Sequence, residues 1–218
     1  MIRRPTLIGM SVVQALSGCA LAGCTNLSGA LGQPDEMPPT PPAHAAPAGG
    51  QAIMISPGVA IVLPKPREMG RNLEVTQLVT LQFAGKTLTF EARLSIKSDR
   101  LVLVGIDGMG RRAMTVAWNG ETMTVDTAPW LPAAARPASM LSDVVVLFFP
   151  TGAVRQALAT AGCELAITKR TRTVHCGETA VLQAEYDERS SALWNGKLRY
   201  SNLAWGYEAE VRSVELKR

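Results

Sequence analysis

The sequence predicts a mainly β protein, a large antiparallel sheet interrupted by one short helical segment. Three observations predict it. Apolar residues alternate with period two through 73–83 and 88–96, the pattern of strands buried on one face. Turn dipeptides, Gly85-Lys86 and Asn119-Gly120, punctuate the alternating runs. Only beyond about residue 140 does the apolar spacing become helical.

The chain opens with a targeting pattern. Arg3 and Arg4 precede an uncharged, largely apolar run from Thr6 to Gly23, which reads as a signal peptide over 1–23 and stands outside the fold. The run ends in Leu21-Ala22-Gly23-Cys24, which resembles the lipobox at which a lipoprotein is cleaved and acylated. Leu16-Ser17-Gly18-Cys19 also fits. Acylation at Cys24 removes Cys19 and leaves Cys163 and Cys176 as an even pair, so Cys24 is favoured over Cys19 in an oxidising compartment. Several acyl chains on one cysteine suffice for stable membrane anchoring. Thr25 follows Cys24 and Ala20 follows Cys19; by resemblance to sorted lipoproteins of double-membrane bacteria, the lack of aspartate there implies the outer membrane.

Residues 24–58 are rich in Pro, Ala and Gly and carry no apolar periodicity. This segment reads as a tether able to hold a body, residues 59–218, on the order of 30 Å from its lipid. His44 falls in it. The formal charge of +4 drops to near +2 without Arg3 and Arg4, too weak to imply nucleic acid. With only 5% aromatic residues, a stacking platform for bases or sugars is not indicated.

In the body, a two-residue loop at Gly85-Lys86 is expected to pair Phe83 with Leu88, Leu81 with Phe90 and Val79 with Ala92. A turn at Asn119-Gly120 is expected to pair Val116 with Met123 and Met114 with Val125. Between them, Leu101 to Ile106 is a continuous apolar run. Residues 73–126 are therefore expected to form a meander with one apolar face. Leu141, Val144, Val145, Phe148 and Phe149 follow helical spacing, although the β-branched and aromatic run 143–149 also allows a buried strand. Pro150 stops that element, Thr151 caps a second helix, and Gly162 ends it. Cys163 and Cys176 flank a hairpin turning near Lys169-Arg170, where opposed cysteines can form a disulfide worth about 2–3 kcal/mol. Further strands are expected at about 179–186, 197–204 and 207–216.

Chemistry-bearing motifs are sparse. No nucleophile elbow, zinc-protease helix or phosphate loop occurs. Gly105-Ile106-Asp107-Gly108-Met109-Gly110 has the glycine spacing of a dinucleotide fingerprint, but a strand rather than a helix is expected to follow. Cys163, His175 and Cys176 lack a fourth ligand, so no metal is expected. Asp107, Asp126, Glu185 and Asp187 are scattered over turns and strand ends. Neither catalysis nor a cofactor is expected. Arg111-Arg112, beside the apolar Met109, form either a tip facing anionic lipid headgroups or a solvated turn. Alternation alone leaves open whether the apolar face is a filled core or a ligand cavity.

The lipobox, tether, sheet and helical insertion together resemble the LolA/LolB-type lipoprotein carriers. The segments Ala92-Arg93-Leu94, Asp99-Arg100-Leu101-Val102-Leu103, Gly108-Met109-Gly110-Arg111-Arg112 and Trp194-Asn195-Gly196-Lys197-Leu198, with Asn202 and Gly206-Tyr207, look closer to a branch of LolB-like lipoproteins often encoded near fatty-acid and aryl-polyene biosynthesis genes. The similarity spans about 60–216. It implies a curved antiparallel sheet forming an incomplete barrel under a helical lid, and an acyl-binding cavity, for which Leu81, Phe90, Leu103, Val116 and Phe148 are the expected lining. It further implies a membrane-delivery loop at Met109, where the carrier has leucine, with Gly108 where the carrier has proline. The expected cargo is an acyl chain or a lipoprotein, handed over by a periplasmic carrier. The alternative expectation is a scaffold lipoprotein with a filled core whose strand edge binds another envelope protein.

Overall fold

The computed structural model describes residues 50–132, 135–187 and 193–216. The expected lipobox cysteines Cys19 and Cys24, with His44, lie outside these residues.

The body is mainly β, as the alternation predicts. Among the described residues, twelve strands and two α-helices follow in the order β1 (Ala52–Ser56), β2 (Val59–Val62), β3 (Leu73–Phe83), β4 (Lys86–Ile96), β5 (Leu101–Ile106), β6 (Arg112–Trp118), β7 (Met123–Thr127), α1 (Pro137–Phe148), α2 (Thr151–Ala159), β8 (Cys163–Ile167), β9 (Thr171–Cys176), β10 (Thr179–Tyr186), β11 (Gly196–Asn202) and β12 (Tyr207–Glu215). Strands β3 to β12 form one antiparallel sheet in the order β7-β6-β5-β4-β3-β12-β11-β10-β9-β8, which does not close into a barrel. The two edges, β7 and β8, are joined in sequence by α1 and α2. The helices thus bridge from one edge to the other over the inward face.

The residues expected on one face do share it. Leu73, Val75, Val79 and Leu81 of β3 are buried, as are Ala92, Leu94 and Ile96 of β4, Leu101 and Leu103 of β5, and Met114, Val116 and Trp118 of β6. Val145, Leu147, Phe148 and Phe149 cover this face from the helical layer and are buried too. The run 143–148 is helical rather than extended because its apolar positions can face both the sheet and the β1–β2 hairpin. Pro137 occupies the first turn of α1, where its missing N–H costs nothing.

Both expected hairpin registers are off by two residues. In the first, Phe83 pairs with Lys86, Leu81 with Leu88 and Val79 with Phe90. The turn is Ala84-Gly85, both with positive φ (49° and 73°), the double left-handed turn that matches strand twist. In the second, Trp118 pairs with Met123 and Val116 with Val125. Here Asn119 Oδ1 accepts from the backbone N–H groups of Glu121 and Thr122 at 2.9 and 2.8 Å. That places the two-residue loop at Gly120-Glu121. A slip of two preserves the faces, which is why the core assignment survives it.

A further departure concerns the tether. The strand β1 falls inside the segment 24–58, with Ile53 and Ile55 buried. It pairs with β2 as a separate two-stranded sheet and contacts α1. The folded body therefore begins before residue 59. Gln51 fixes the entry point: its N–H donates to Glu121 O at 2.8 Å, and Met123 N donates to its Oε1 at 2.7 Å.

Cys163 and Cys176 sit directly opposite each other in β8 and β9 and are joined by a disulfide. The intervening turn is centred on Lys169-Arg170, closed by Thr168 N donating to Thr171 O at 3.0 Å.

Candidate functional site

The helix α1 is attached to the sheet asymmetrically. On the side of β9 to β12 it is tied by polar contacts. Asp143 is buried, and its carboxylate accepts from Asn202 Nδ2 at 3.0 and 3.3 Å and from the Tyr207 hydroxyl. Burial, partly opposed by these hydrogen bonds from Tyr207 and Asn202 and one from Tyr200, pushes the Asp143 carboxyl up to about 7. The last turn of α1 exposes carbonyls that no helical N–H can reach. The buried Arg172 of β9 donates to Val146 O and Phe149 O, each at 3.0 Å, and the Tyr186 hydroxyl donates to Leu147 O at 2.6 Å. Phe148 stacks on Trp194 with ring centroids 4.5 Å apart. At the other end, the Arg136 guanidinium lies 4.0 Å over the Trp205 ring, a cation–π contact.

On the side of β3 to β6 the contact is apolar. Here an open slit runs between α1 and the sheet, lined by Val79, Leu81, Phe90, Ala92, Leu103 and Met114 below and by Met140, Val144, Leu147 and Phe148 above. Gln77, Tyr200 and Val211 complete it. Of the five residues expected to line a cavity, Leu81, Phe90, Leu103 and Phe148 border this slit. Val116 does not: it is fully buried beside Leu103 in a filled part of the core. The slit encloses about 30 Å³, where ligand pockets typically hold about 300–1,000 Å³.

The slit leads toward one end of the sheet. Phe83, Leu88 and Phe90 belong to the inward-facing series of β3 and β4, yet Phe83 and Leu88 are exposed and Phe90 is half-buried. They form an uncovered apolar mouth. The loop between β5 and β6 stands at the same end, because Ile106 pairs with Glu91 and Arg112 with Ile106. Its apex, Met109, is 76% exposed, the most exposed large apolar side chain among the described residues. Asp107 shapes the loop, its Oδ1 accepting from the N–H groups of Met109 and Arg111 at 3.0 and 2.9 Å. Those backbone bonds, Arg111's first, hold the Asp107 carboxyl below its usual range. The Arg111 side chain pairs with Asp107 and lies 4.7 Å over the Trp130 ring. Arg112 pairs with Asp126 at 2.8 Å. The loop is followed by the strand β6, so the glycine spacing of 105–110 serves a turn, with φ +79° at Gly110.

Other residues singled out in the sequence stand apart from the slit. Glu185 pairs with Arg170 on the outer face at 3.1 Å, and His175 lies in β9 opposite Glu164. The tie of α1 to β11 and β12 is the part that the sequence reading does not anticipate. Asp143 is the only charged residue between Pro137 and Pro150, and a lone acid in a helix otherwise buried on several sides was the available signal.

No helix among the described residues is long and apolar enough to cross a membrane. No curated protein matches the chain. A family model matches residues 74–215, from β3 through β12 and so including the slit, its mouth and the Met109 loop, and on that match the chain belongs to the family described as "Protein of unknown function (DUF3261)".

Proposed function

We propose that this chain is a non-enzymatic, lipid-anchored lipoprotein of the outer membrane that takes up an acyl or polyene chain, free or as the lipid part of a lipoprotein, and helps place it in the membrane. The observation that carries this reading is the apolar track. It runs from the exposed Phe83 and Leu88, past Phe90, into the slit beneath a helix whose polar ties to the ten-stranded sheet, through Asp143, Val146 O, Leu147 O and Phe149 O, lie on the opposite side. The likeness to LolB-type carriers, with an incomplete barrel under a helical lid, gives the same assignment. At about 30 Å³ the slit cannot hold a chain as it stands. Entry requires α1 to lift from β3 to β6 while its ties to β9 to β12 hold. Each methylene then buried returns about 0.8 kcal/mol, and the flexible Met114 and Met140 can conform to a chain without fixed shape.

In this reading Cys24 carries the anchor and Met109, beside Arg111 and Arg112, meets the bilayer during delivery. Gln51 sits by the β6–β7 turn, at the end of the sheet opposite Met109.

The filled interior favours a second reading, an envelope scaffold with no cargo. One assay separates them. The acylated protein is reconstituted into nanodiscs and offered donor vesicles carrying an NBD-labelled palmitoyl lipid and unlabelled acceptor vesicles. A carrier accelerates transfer, and Met109→Asp, with circular dichroism unchanged, slows it severalfold. Transfer no faster than in empty nanodiscs supports the scaffold and ends the carrier reading.

A further inference from the structure

Resting on the reading of the slit as a chain-binding site, we propose that its cargo carries a hydrogen-bonding group, a hydroxyl or carbonyl, near the end that enters first, and that Gln77 recognises it. The slit wall is apolar except at two places, Tyr200 and Gln77. Tyr200 lies beside the Asp143 tie, level with Leu81 across Ala209. Gln77 is different. It is 2% exposed, sits on the inward face of β3 opposite Ala92 and Ser213, and lines the slit at its inner end. The mouth at Phe83 is six residues along the same strand, about 20 Å away at the rise of an extended chain.

A slit made for a plain alkyl terminus would close on aliphatic side chains, because a methyl group placed against an amide gains nothing and removes that amide from other partners. Here the inner end carries a primary amide instead. Its Nε2 donates one hydrogen to Ser213 Oγ at 2.9 Å, which orients the group and leaves the second N–H and the two lone pairs of Oε1 as its remaining capacity. Ser213 is itself 5% exposed, so the pair forms a polar spot buried in an apolar track. An amide both donates and accepts, so it can meet a hydroxyl, an ester carbonyl or a protonated carboxyl. It offers no charge for an ionised terminus, whose burial without a counter-charge is unfavourable.

The test is a competition. Vesicles containing hexadecanoic acid and 16-hydroxyhexadecanoic acid in equal amounts are incubated with the acylated protein in nanodiscs. The protein is recovered, and the ratio of bound chains is read by mass spectrometry after extraction. The expected result is a preference for the hydroxylated chain of about tenfold relative to the ratio in the vesicles, as one buried hydrogen bond gives. Gln77→Leu and the nearly isosteric Gln77→Met are expected to abolish the preference. A wild-type ratio equal to that of the vesicles, or a preference unchanged in a folded Gln77→Met, overturns the assignment to Gln77 and leaves the chain-binding reading in place. Capture of neither chain overturns both.

Discussion

Asp143 of α1 and Asn202 of β11 meet 3.0 Å apart in the core, so the one acid of the helix is held by an amide and tyrosine hydroxyls rather than by a cation. Tyr200 and Tyr207 are the titratable groups facing it, and burial raises both well above the usual tyrosine range; they stay neutral donors. With no counter-charge, desolvation dominates and the carboxyl sits at about 7, against about 3.9 in an unfolded chain. The folded state therefore binds a proton more readily than the unfolded one between these values. Stability from this group is fully present below about pH 4 and is lost as pH rises toward 7. Asp143→Asn is expected to gain on wild type across that interval, by on the order of 4 kcal/mol at most. Urea denaturation at pH 4.5, 6 and 8 checks this, and a wild-type-to-variant difference that stays constant over the range would exclude the buried carboxyl as its source.

Arg172 closes the far end of the same helix. Its guanidinium serves two carbonyls at once, Val146 O and Phe149 O, and places a cation where the helix dipole favours one. Arg172→Met leaves those carbonyls without their donor and is expected to cost about 2–4 kcal/mol. Arg172→Lys keeps the charge but not the planar fork, and an intermediate loss is expected. Equal stability of all three proteins in urea would show that the helix end is satisfied in another way.

What the sequence made legible follows from period. Strand β3 appears at the residues where alternation places it, since a half-buried strand repeats its burial every second residue whatever its neighbours do, and β5 appears at the continuous apolar run 101–106. Turn position is a finer matter. Ala84 adopts φ 49°, a conformation that alanine seldom takes and that no propensity rule assigns to it, so propensity alone puts the Gly85 hairpin one residue late. The strand β1 was hidden by composition: Ile53 and Ile55 alternate, but only five residues long and directly after a Pro/Ala/Gly tract. The slit was legible in part. Leu81, Phe90, Leu103 and Phe148 share a face by register, whereas the exclusion of Val116 depends on how α1 lies over β6, which no local pattern encodes. The ties from Asn202, Tyr207 and Arg172 to α1 join residues 59, 64 and 26 positions apart, and such partners are found only once the sheet is assembled.

The disulfide has a measurable share. It joins β8 to β9 across a sequence separation of 13, for which chain-entropy reasoning gives about 3 kcal/mol. The double variant Cys163→Ser/Cys176→Ser is expected to lose about that much. Because the hairpin is also paired along its length, the sheet should persist, with faster amide exchange confined to β8 and the following turn. Loss of exchange protection across β3 to β6 as well would mean that the bond supports the whole body.

Gly105 decides how much room Met114 has in the slit. A Cβ built at Gly105 would stand 3.0 Å from both Cε and Cγ of Met114, closer than carbon atoms normally approach. The contact is with a flexible side chain, so Gly105→Ala is expected to fold, at a cost of about 1 kcal/mol, with Met114 displaced toward α1. Displacement in that direction fills the space a cargo chain needs. Gly105→Ala should therefore weaken capture of hexadecanoic acid severalfold while lowering the urea midpoint by no more than that cost of about 1 kcal/mol implies, and Gly105→Ala/Met114→Ala should restore capture by returning the volume. Restored capture in the double variant would locate the chain between α1 and β6. Capture that is indifferent to both substitutions would place it elsewhere on the protein.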